Sequence, residues 1–205
     1  MLVLSVIVSR LMVTSGSSSS RSSVGLAEDG LVARLRRGEP EALGDAYDLH
    51  HEAVRRYARQ ILGDEAAAED AVHDAFVELP RAIQRFEGRS SLKTFLFAIT
   101  TNVARHARRA TARRLGAYER LHEEPRLEGE SLDDESERRA LAAVMERLLS
   151  KLPIEQRMVV VLCVVEEHTS TEVAEIMGVP EGTVRTRLFH ARKKMRELLG
   201  DEVLR

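Results

Sequence analysis

The 205-residue chain has no Trp, one Cys, five Phe and three Tyr. So few aromatics argue against a β-sandwich or barrel, which favours aromatic and β-branched side chains. Cys163 stands alone, which excludes an internal disulfide framework and a Cys-rich zinc module and suits a reducing cytoplasm. No apolar run reaches the roughly 20 residues that span a bilayer. No glycine-rich loop has phosphate-cradling spacing. Histidines 50, 51, 73, 106, 122, 168 and 190 show no metal-ligand spacing on one helical face, and the adjacent His50 and His51 point apart. The acidic pairs Glu69–Asp70 and Asp133–Asp134 read as solvated helix or linker charges. No nucleophile–base pair can be argued. The reading is therefore a non-enzymatic protein with no cofactor and no metal.

What is present favours helix. Ala, Leu, Arg and Glu dominate. With 43% hydrophobic and 31% charged residues, the composition is globular. The net charge of −2 conceals an uneven distribution. Residues 105–114 carry +5, from Arg105, Arg108, Arg109, Arg113 and Arg114. Residues 185–196 carry +6, from Arg185, Arg187, Arg192, Lys193, Lys194 and Arg196. From residue 28 onward every other stretch is net acidic. Two short basic stripes in an acidic chain are an electrostatic footprint for phosphate backbones, although basic helix ends also complement the helix dipole.

The chain is expected to be all-α, with two small helical domains joined by an acidic linker. Residues 1–27 form an extension outside the fold. Met1–Thr14 is apolar but broken by Arg10, and Ser15–Ser23 holds seven serines in nine positions. No Lys or Arg precedes the apolar part, so the charged region of a signal peptide is missing, and a start at Met12 is an equal reading.

Residues 28–114 read as four helices. Leu31, Val32 and Leu35 share a face, closed by Gly38 and Pro40. Leu43, Tyr47, His50, Val54, Tyr57 and Ile61 recur at three or four, and Gly63 ends that helix. Asp64 caps the next, whose inner face is Ala68, Ala71, Val72, Ala75, Phe76 and Leu79, and Pro80 should kink or break it. After a loop from Phe86 to Ser90, Ser90 or Ser91 caps a helix with Leu92, Phe95, Ile99 and Val103 inward and a basic end. Residues 115–139, acidic and with little periodicity, read as a linker that stays off DNA and leaves its flanking modules apart and mobile, with some helix near its ends.

Residues 140–205 carry the sharpest motif. Leu141, Val144, Met145, Leu148 and Leu149 form a stripe, Pro153 suits the first turn of the next helix, and Met158–Val165 is a buried stretch in which Cys163 is core. Thr169 or Ser170 then caps a helix with Val173, Ala174 and Met177 inward. Gly178 sits where the chain turns sharply, Val179 plugs the turn, and Pro180 stops the first helix. The second helix buries Val184, Leu188, Ala191 and Met195. These are helix-turn-helix spacings. Arg185, Thr186, Phe189, His190 and Lys193 remain outward, flanked by Arg187, Arg192 and Lys194. Arg185 can reach a guanine edge, and Thr186 and Phe189 a thymine methyl. Arg187, Arg192, Lys193 and Lys194 are suited to phosphates.

Leu152-Pro153 with Gln156-Arg157, then Glu172–Gly178 and Gly182–Leu188, resembles the C-terminal DNA-binding region of bacterial sigma-70 family sigma factors, in particular the extracytoplasmic-function (ECF) group. Upstream, Ala68–Phe76 resembles the family's polymerase-binding helix. Phe86 through Arg109, with Ser91, Phe95, Leu96, Ile99, Asn102 and Val103, resembles its −10-reading and melting segment. The resemblance covers about residues 29–114 and 140–200.

The resemblance implies a sigma factor that binds core RNA polymerase and directs promoter recognition, DNA melting and transcription initiation in the cytoplasm. Region 2 would be residues 28–114 and region 4 residues 140–205. Asp70, His73, Asp74, Phe76 and Glu78 would dock on the clamp of the polymerase β′ subunit, and region 4 on the flap of β. Phe86, Arg89, Ser91 and Asn102 would hold an unstacked −10 base, with Arg105, Arg108 and Arg109 tracking the melted strand. Thr183, Arg185, Thr186, Arg187, Phe189, His190, Arg192 and Lys193 would engage the −35 element. An anti-sigma factor is a common partner in this family. The chain departs from the pattern at His73, where Gln is usual, at Leu79 and Phe95, where many members carry Trp, and at His190, where Arg is common. Twenty-five linker residues cannot form the middle domain of housekeeping sigma factors.

Two other readings are weighed against it. A free-standing helix-turn-helix regulator would bind a palindrome as a dimer, yet no dimerisation heptad is evident. An adaptor that had lost DNA binding would lack the outward basic residues, which are present.

Overall fold

The computed structural model describes residues 24–115 and 134–203, with side chains from 28 to 110 and 142 to 200. Most of the 1–27 extension, the linker core 116–133, and the side chains of Arg113, Arg114 and Leu141 lie outside the described residues. Among the described residues there is no strand. The helices divide between two compact units, and each is described by itself.

The N-terminal unit contains α1 (Val24–Arg36), α2 (Pro40–Leu62), α3 (Glu65–Ala82), a 3-10 turn (Ile83–Arg85) and α4 (Leu92–Leu115). Helices α2, α3 and α4 pack on one another, while α1 lies on α2 and the 3-10 turn. The boundaries follow local chemistry. At the end of α1, Gly38 has φ 73° and its N–H bonds to Leu35 O, while the Glu39 N–H reaches Arg34 O. Gly63 takes the same left-handed conformation (φ 74°) after α2. The Asp64 carboxylate then accepts from the Ala67 N–H at 2.7 Å and caps α3. Of the two candidate serines, Ser91 caps α4, its Oγ accepting from the Thr94 N–H at 3.1 Å.

Pro80 neither breaks α3 nor ends it. The helix continues to Ala82, the Ile83 N–H bonds back to Leu79 O, and the chain then tightens into the 3-10 turn. Proline removes one donor from the ladder, and the ladder resumes beyond it.

The core stripe of α2 also differs from expectation. Ala42 and Ala46 are buried on the row that continues through His50, Val54, Ala58 and Ile61, while Tyr47 is exposed and Leu43 half-buried. Tyr47 stands one residue off that row and covers the edge of Phe76, ring centres 4.9 Å apart. In α4 the buried set is Leu92, Leu96, Phe97, Ile99, Thr100, Thr101 and Ala104, with Phe95 and Val103 half-buried. A helix packed against two neighbours buries a wider face than one 3.6-residue stripe. The buried hydroxyls are paired: Tyr57 Oη with Thr101 Oγ1 at 2.7 Å, and Thr100 Oγ1 donating to Leu96 O at 2.8 Å.

His50 is the exception among these polar groups. It is 8% exposed, and its Nε2 has no hydrogen-bond partner. Burial pushes its pKa below the ordinary histidine value, Glu28 opposes this, and Lys93 adds to it. The neutral form is therefore favoured by folding, so its contribution is present above the ordinary histidine pKa and lost as pH falls through the depressed one. Acidification below about pH 6.5 is expected to lower the stability of this unit, by at most about 1.4 kcal/mol per pH unit for one proton, read as a falling unfolding midpoint. His50→Gln should flatten that slope in thermal melts read by circular dichroism.

The C-terminal unit contains α5 (Asp134–Ser150), α6 (Ile154–Val160), a π-helical turn (Val161–Val165), α7 (Ser170–Met177) and α8 (Glu181–Val203). Pro153 lies at the N-cap of α6, one place before the first turn. The Arg157 guanidinium is buried and donates to Ser150 O (3.1 Å) and Leu152 O (3.3 Å), satisfying carbonyls at and just beyond the end of α5. The apolar run 158–162 is the centre of this core, against Leu148, Leu149, Val184, Ala191 and Met195, and α6 packs on α8. Cys163 is half-buried, and burial pushes its thiol up to about 11, with Arg192 opposing. It is therefore a neutral thiol near pH 7.

Candidate nucleic-acid interface

The helix-turn-helix is built from two local devices. A capping box opens α7: the Thr169 N–H donates to Glu172 Oε2 (2.8 Å), and the Glu172 N–H donates to Thr169 Oγ1 (3.2 Å). The Thr169 and His168 contacts pull the Glu172 pKa down against the opposing effect of its burial, so the cap is charged at neutral pH. A Schellman turn closes α7: the Gly178 N–H bonds to Glu175 O and the Val179 N–H to Ala174 O, with Gly178 at φ 63°. Pro180 O then accepts from the Thr183 and Val184 N–H groups and starts α8.

On α8, Val184, Ala191, Met195 and Leu199 are buried and Leu188 is half-buried. Arg185, Thr186, Phe189, His190 and Lys193 are all exposed, and their spacing puts them on one face. Phe189 is 60% exposed, with the His190 ring edge-on to it at 5.5 Å. An exposed aromatic beside Arg and Lys on a helix that can enter a major groove suits base-edge readout. Arg185 donates to Glu181 Oε1 at 2.6 Å, an exposed i,i+4 pair that is cheap to exchange for a base or a phosphate. Thr186 Oγ1 donates back to Gly182 O.

The N-terminal unit presents two more surfaces. On α3, Asp70, His73, Asp74, Val77 and Glu78 are exposed along one face opposite the core. Beyond the 3-10 turn, the segment 86–91 leads into α4 with Gly88 at φ 72°, and Arg89 pairs with Glu87. Arg89, Ser91, Asn102, Arg108 and Arg109 are exposed, and Arg105 and Thr183 are half-exposed. No helix among the described residues is long and apolar enough to cross a membrane, and no cluster of three His, Cys, Asp or Glu there could hold a metal.

The family model described as "Sigma-70 region 2" matches residues 46–114, and "Sigma-70, region 4" matches residues 142–195. The RNA polymerase sigma-H factor of Pseudomonas aeruginosa is 31% identical over 184 residues, covering 82% of this chain and 92% of that protein. The chain belongs to the sigma-70 family of RNA polymerase sigma factors, in its ECF group. The ECF RNA polymerase sigma factor SigW of Bacillus subtilis is 25% identical over 182 residues, covering 83% of this chain and 95% of that one. Among solved structures, the sigma factor RpoE of Bartonella quintana, in complex with the anti-sigma factor NepR, aligns with TM-score 0.59 and 26% identity, covering 77% of this chain and 96% of that one. As a sigma factor the protein is a non-enzymatic subunit that directs promoter-specific transcription initiation with RNA polymerase.

Four residues expected at contact surfaces of this sigma factor sit elsewhere. Phe76 is buried in the core of region 2, so the face of α3 is formed by its polar neighbours and Val77. Phe86 is also buried, its ring 4.9 Å from Phe95, so it anchors the loop instead of offering a stacking face. Arg187 is turned back to Glu155, Nη1 to Oε2 2.8 Å, with 27% of its side chain exposed. Arg192 is half-buried, and burial lowers its pKa, with Cys163 opposing and Arg196 adding to the fall. A step of three from Val184 and a step of four from Leu188 place Arg187 and Arg192 toward the inner half of the helix, so their charge misled where periodicity did not. Val77 was missed in turn: it lies seven residues after Asp70 on the polar face and is 64% exposed.

Proposed function

We propose that this sigma factor contacts its partners through three surfaces. The exposed face of α3, with Asp70, His73, Asp74, Val77 and Glu78, docks on the clamp of the polymerase β′ subunit, while region 4 engages the flap of β. The 86–91 loop, with Arg89, Ser91 and Asn102, receives an unstacked base of the −10 element, and Arg105, Arg108 and Arg109 draw the melted strand along α4. Arg185, Thr186, Phe189 and His190 read the −35 element, with Thr183 and Lys193 on the flanking backbone. Residues 28–114 thus serve polymerase and the −10 element, residues 140–205 the −35 element, and the acidic 115–139 segment joins them. The protein works in the cytoplasm with polymerase, and an anti-sigma protein, such as that bound to the Bartonella relative, is a further partner.

The observation that carries this reading is the five-residue exposed face of α8, Arg185 to Lys193, in a chain whose other unit has its own exposed acidic and basic surfaces. Two weak DNA contacts engaged at once give avidity that neither has alone. Footprinting on a promoter fragment tests it. Protection of two separate elements is expected only when core polymerase and the protein are both present. Protection of one palindromic site by the protein alone would favour the free-standing regulator instead.

A further inference from the structure

Helix α1 ties down both ends of the 86–91 loop. Its last residue, Arg36, makes three of the ties. The guanidinium donates from Nη2 to Phe86 O, where the loop begins, and from Nε to Ile83 O at 3.5 Å. The Arg36 carbonyl, which lies in the last turn of α1 and takes no part in the Gly38 turn, accepts from Gln84 Nε2 at 3.0 Å. At the other end of the loop, Glu28 Oε1 accepts from the Leu92 N–H at 2.6 Å. Leu92 is the first residue of α4, so its N–H lacks an intrahelical acceptor, and a carboxylate is well placed at this positive helix end. Ser91 Oγ satisfies the Thr94 N–H of the same turn. Glu28 and Arg36 are eight residues apart, about 12 Å along one helix. One rigid rod therefore fixes the distance between the loop's start and its end. All four bonds are made by polar side chains on segments far apart in sequence, and none serves the apolar core.

We propose that Arg36 and Glu28 are positioning residues for −10 recognition: α1 braces the 86–91 loop so that Arg89, Ser91 and Asn102 are held ready for the unstacked base. A loop braced before DNA arrives loses less conformational freedom on capture, and selectivity for the correct base rises with that preorganisation. The proposal rests on the reading of this loop as the −10 site. It assigns to α1, all of which precedes the matched region 2 segment, a part in base selection.

The test uses the full chain with core polymerase on a promoter recovered by run-off transcription and on derivatives substituted at each −10 position. The readout is the ratio of transcript from the parent promoter to transcript from each derivative. Arg36→Ala and Glu28→Ala are expected to lower the ratio at one −10 position on the order of tenfold, the scale of one lost hydrogen bond to a charged group. Binding to core polymerase should change less than about twofold, since α1 is distant in sequence from the α3 face and surface substitutions cost little. Arg36→Lys keeps one donor and should recover part of the ratio. A purely structural loss would lower all transcripts together and leave the ratio unchanged, which would overturn the brace. Arg89→Ala and Asn102→Ala separate the two layers. If they lower the ratio and the α1 variants do not, the brace is wrong and the loop reading stands. If none of the four lowers it, the loop is not the −10 site.

Discussion

Replacing Asp70 and Asp74 together by lysine is expected to abolish detectable binding to core RNA polymerase while leaving the fold intact. Both carboxylates are exposed, lie four residues apart on one face of α3, and bracket His73. The face turned the other way, Ala68, Ala71, Val72, Ala75, Phe76 and Leu79, supplies the packing. Surface changes away from that packing cost within about 0.5 kcal/mol of stability. At the proposed docking face the same change reverses two charges, and losing one partner of a close interfacial charge pair costs about 2–5 kcal/mol. A fall of two orders of magnitude or more in affinity follows. Fluorescence titration of core polymerase measures it, with circular dichroism as the check on folding. Full retained affinity would remove this face from the interface. Val77→Asp, placed in the middle of the same face, should weaken binding as well, because it sets a desolvated charge at the centre of the contact.

The second large effect concerns promoter choice. Arg185→Ala is expected to relax selectivity at one upstream base pair by about 1–3 kcal/mol, roughly five- to 150-fold, with little change elsewhere in the site. Lys193→Ala should instead weaken binding to all sequences alike and reduce the salt slope by about one. The distinction follows from geometry. Arg185 lies in the first turns of α8, the end proposed to enter a major groove, and its present partner Glu181 is an exposed neighbour it can release. Arg187 offers an internal control. Its guanidinium is held by Glu155, so Arg187→Ala should act through the stability of region 4 and leave base choice alone. Transcript counts from a promoter library randomised at the −35 element distinguish the three variants.

Much of this was legible in the sequence because it is written in local chemistry. Gly38, Gly63 and Gly178 mark left-handed turns, Asp64 and Thr169 mark caps, and each acts where the spacing placed it. The outward face of α8 was equally legible, since Val184, Ala191 and Met195 fix the buried side of a helix. What failed depended on distant partners. Tyr47 looked like core because it is large and apolar, yet Ala46 fills the seam. Phe86 looked like a contact because it lies inside a recognisable motif, but Phe95 covers it; Phe76 was already on the inner face by spacing, and only the motif named it a contact. Arg36 gave no signal, because its partners are the carbonyls of Ile83 and Phe86, nearly fifty residues away. Pattern along one helix reports which side is buried, whereas a side chain reaching another segment's backbone is visible only once the chain is folded.

The most direct test is run-off transcription with bacterial core polymerase on fragmented DNA from the source genome, with and without this protein. The account predicts discrete transcripts that appear only when the protein is added, each starting at a fixed distance from an upstream element that Arg185→Ala changes. No new transcripts, together with no binding to core polymerase, would contradict it.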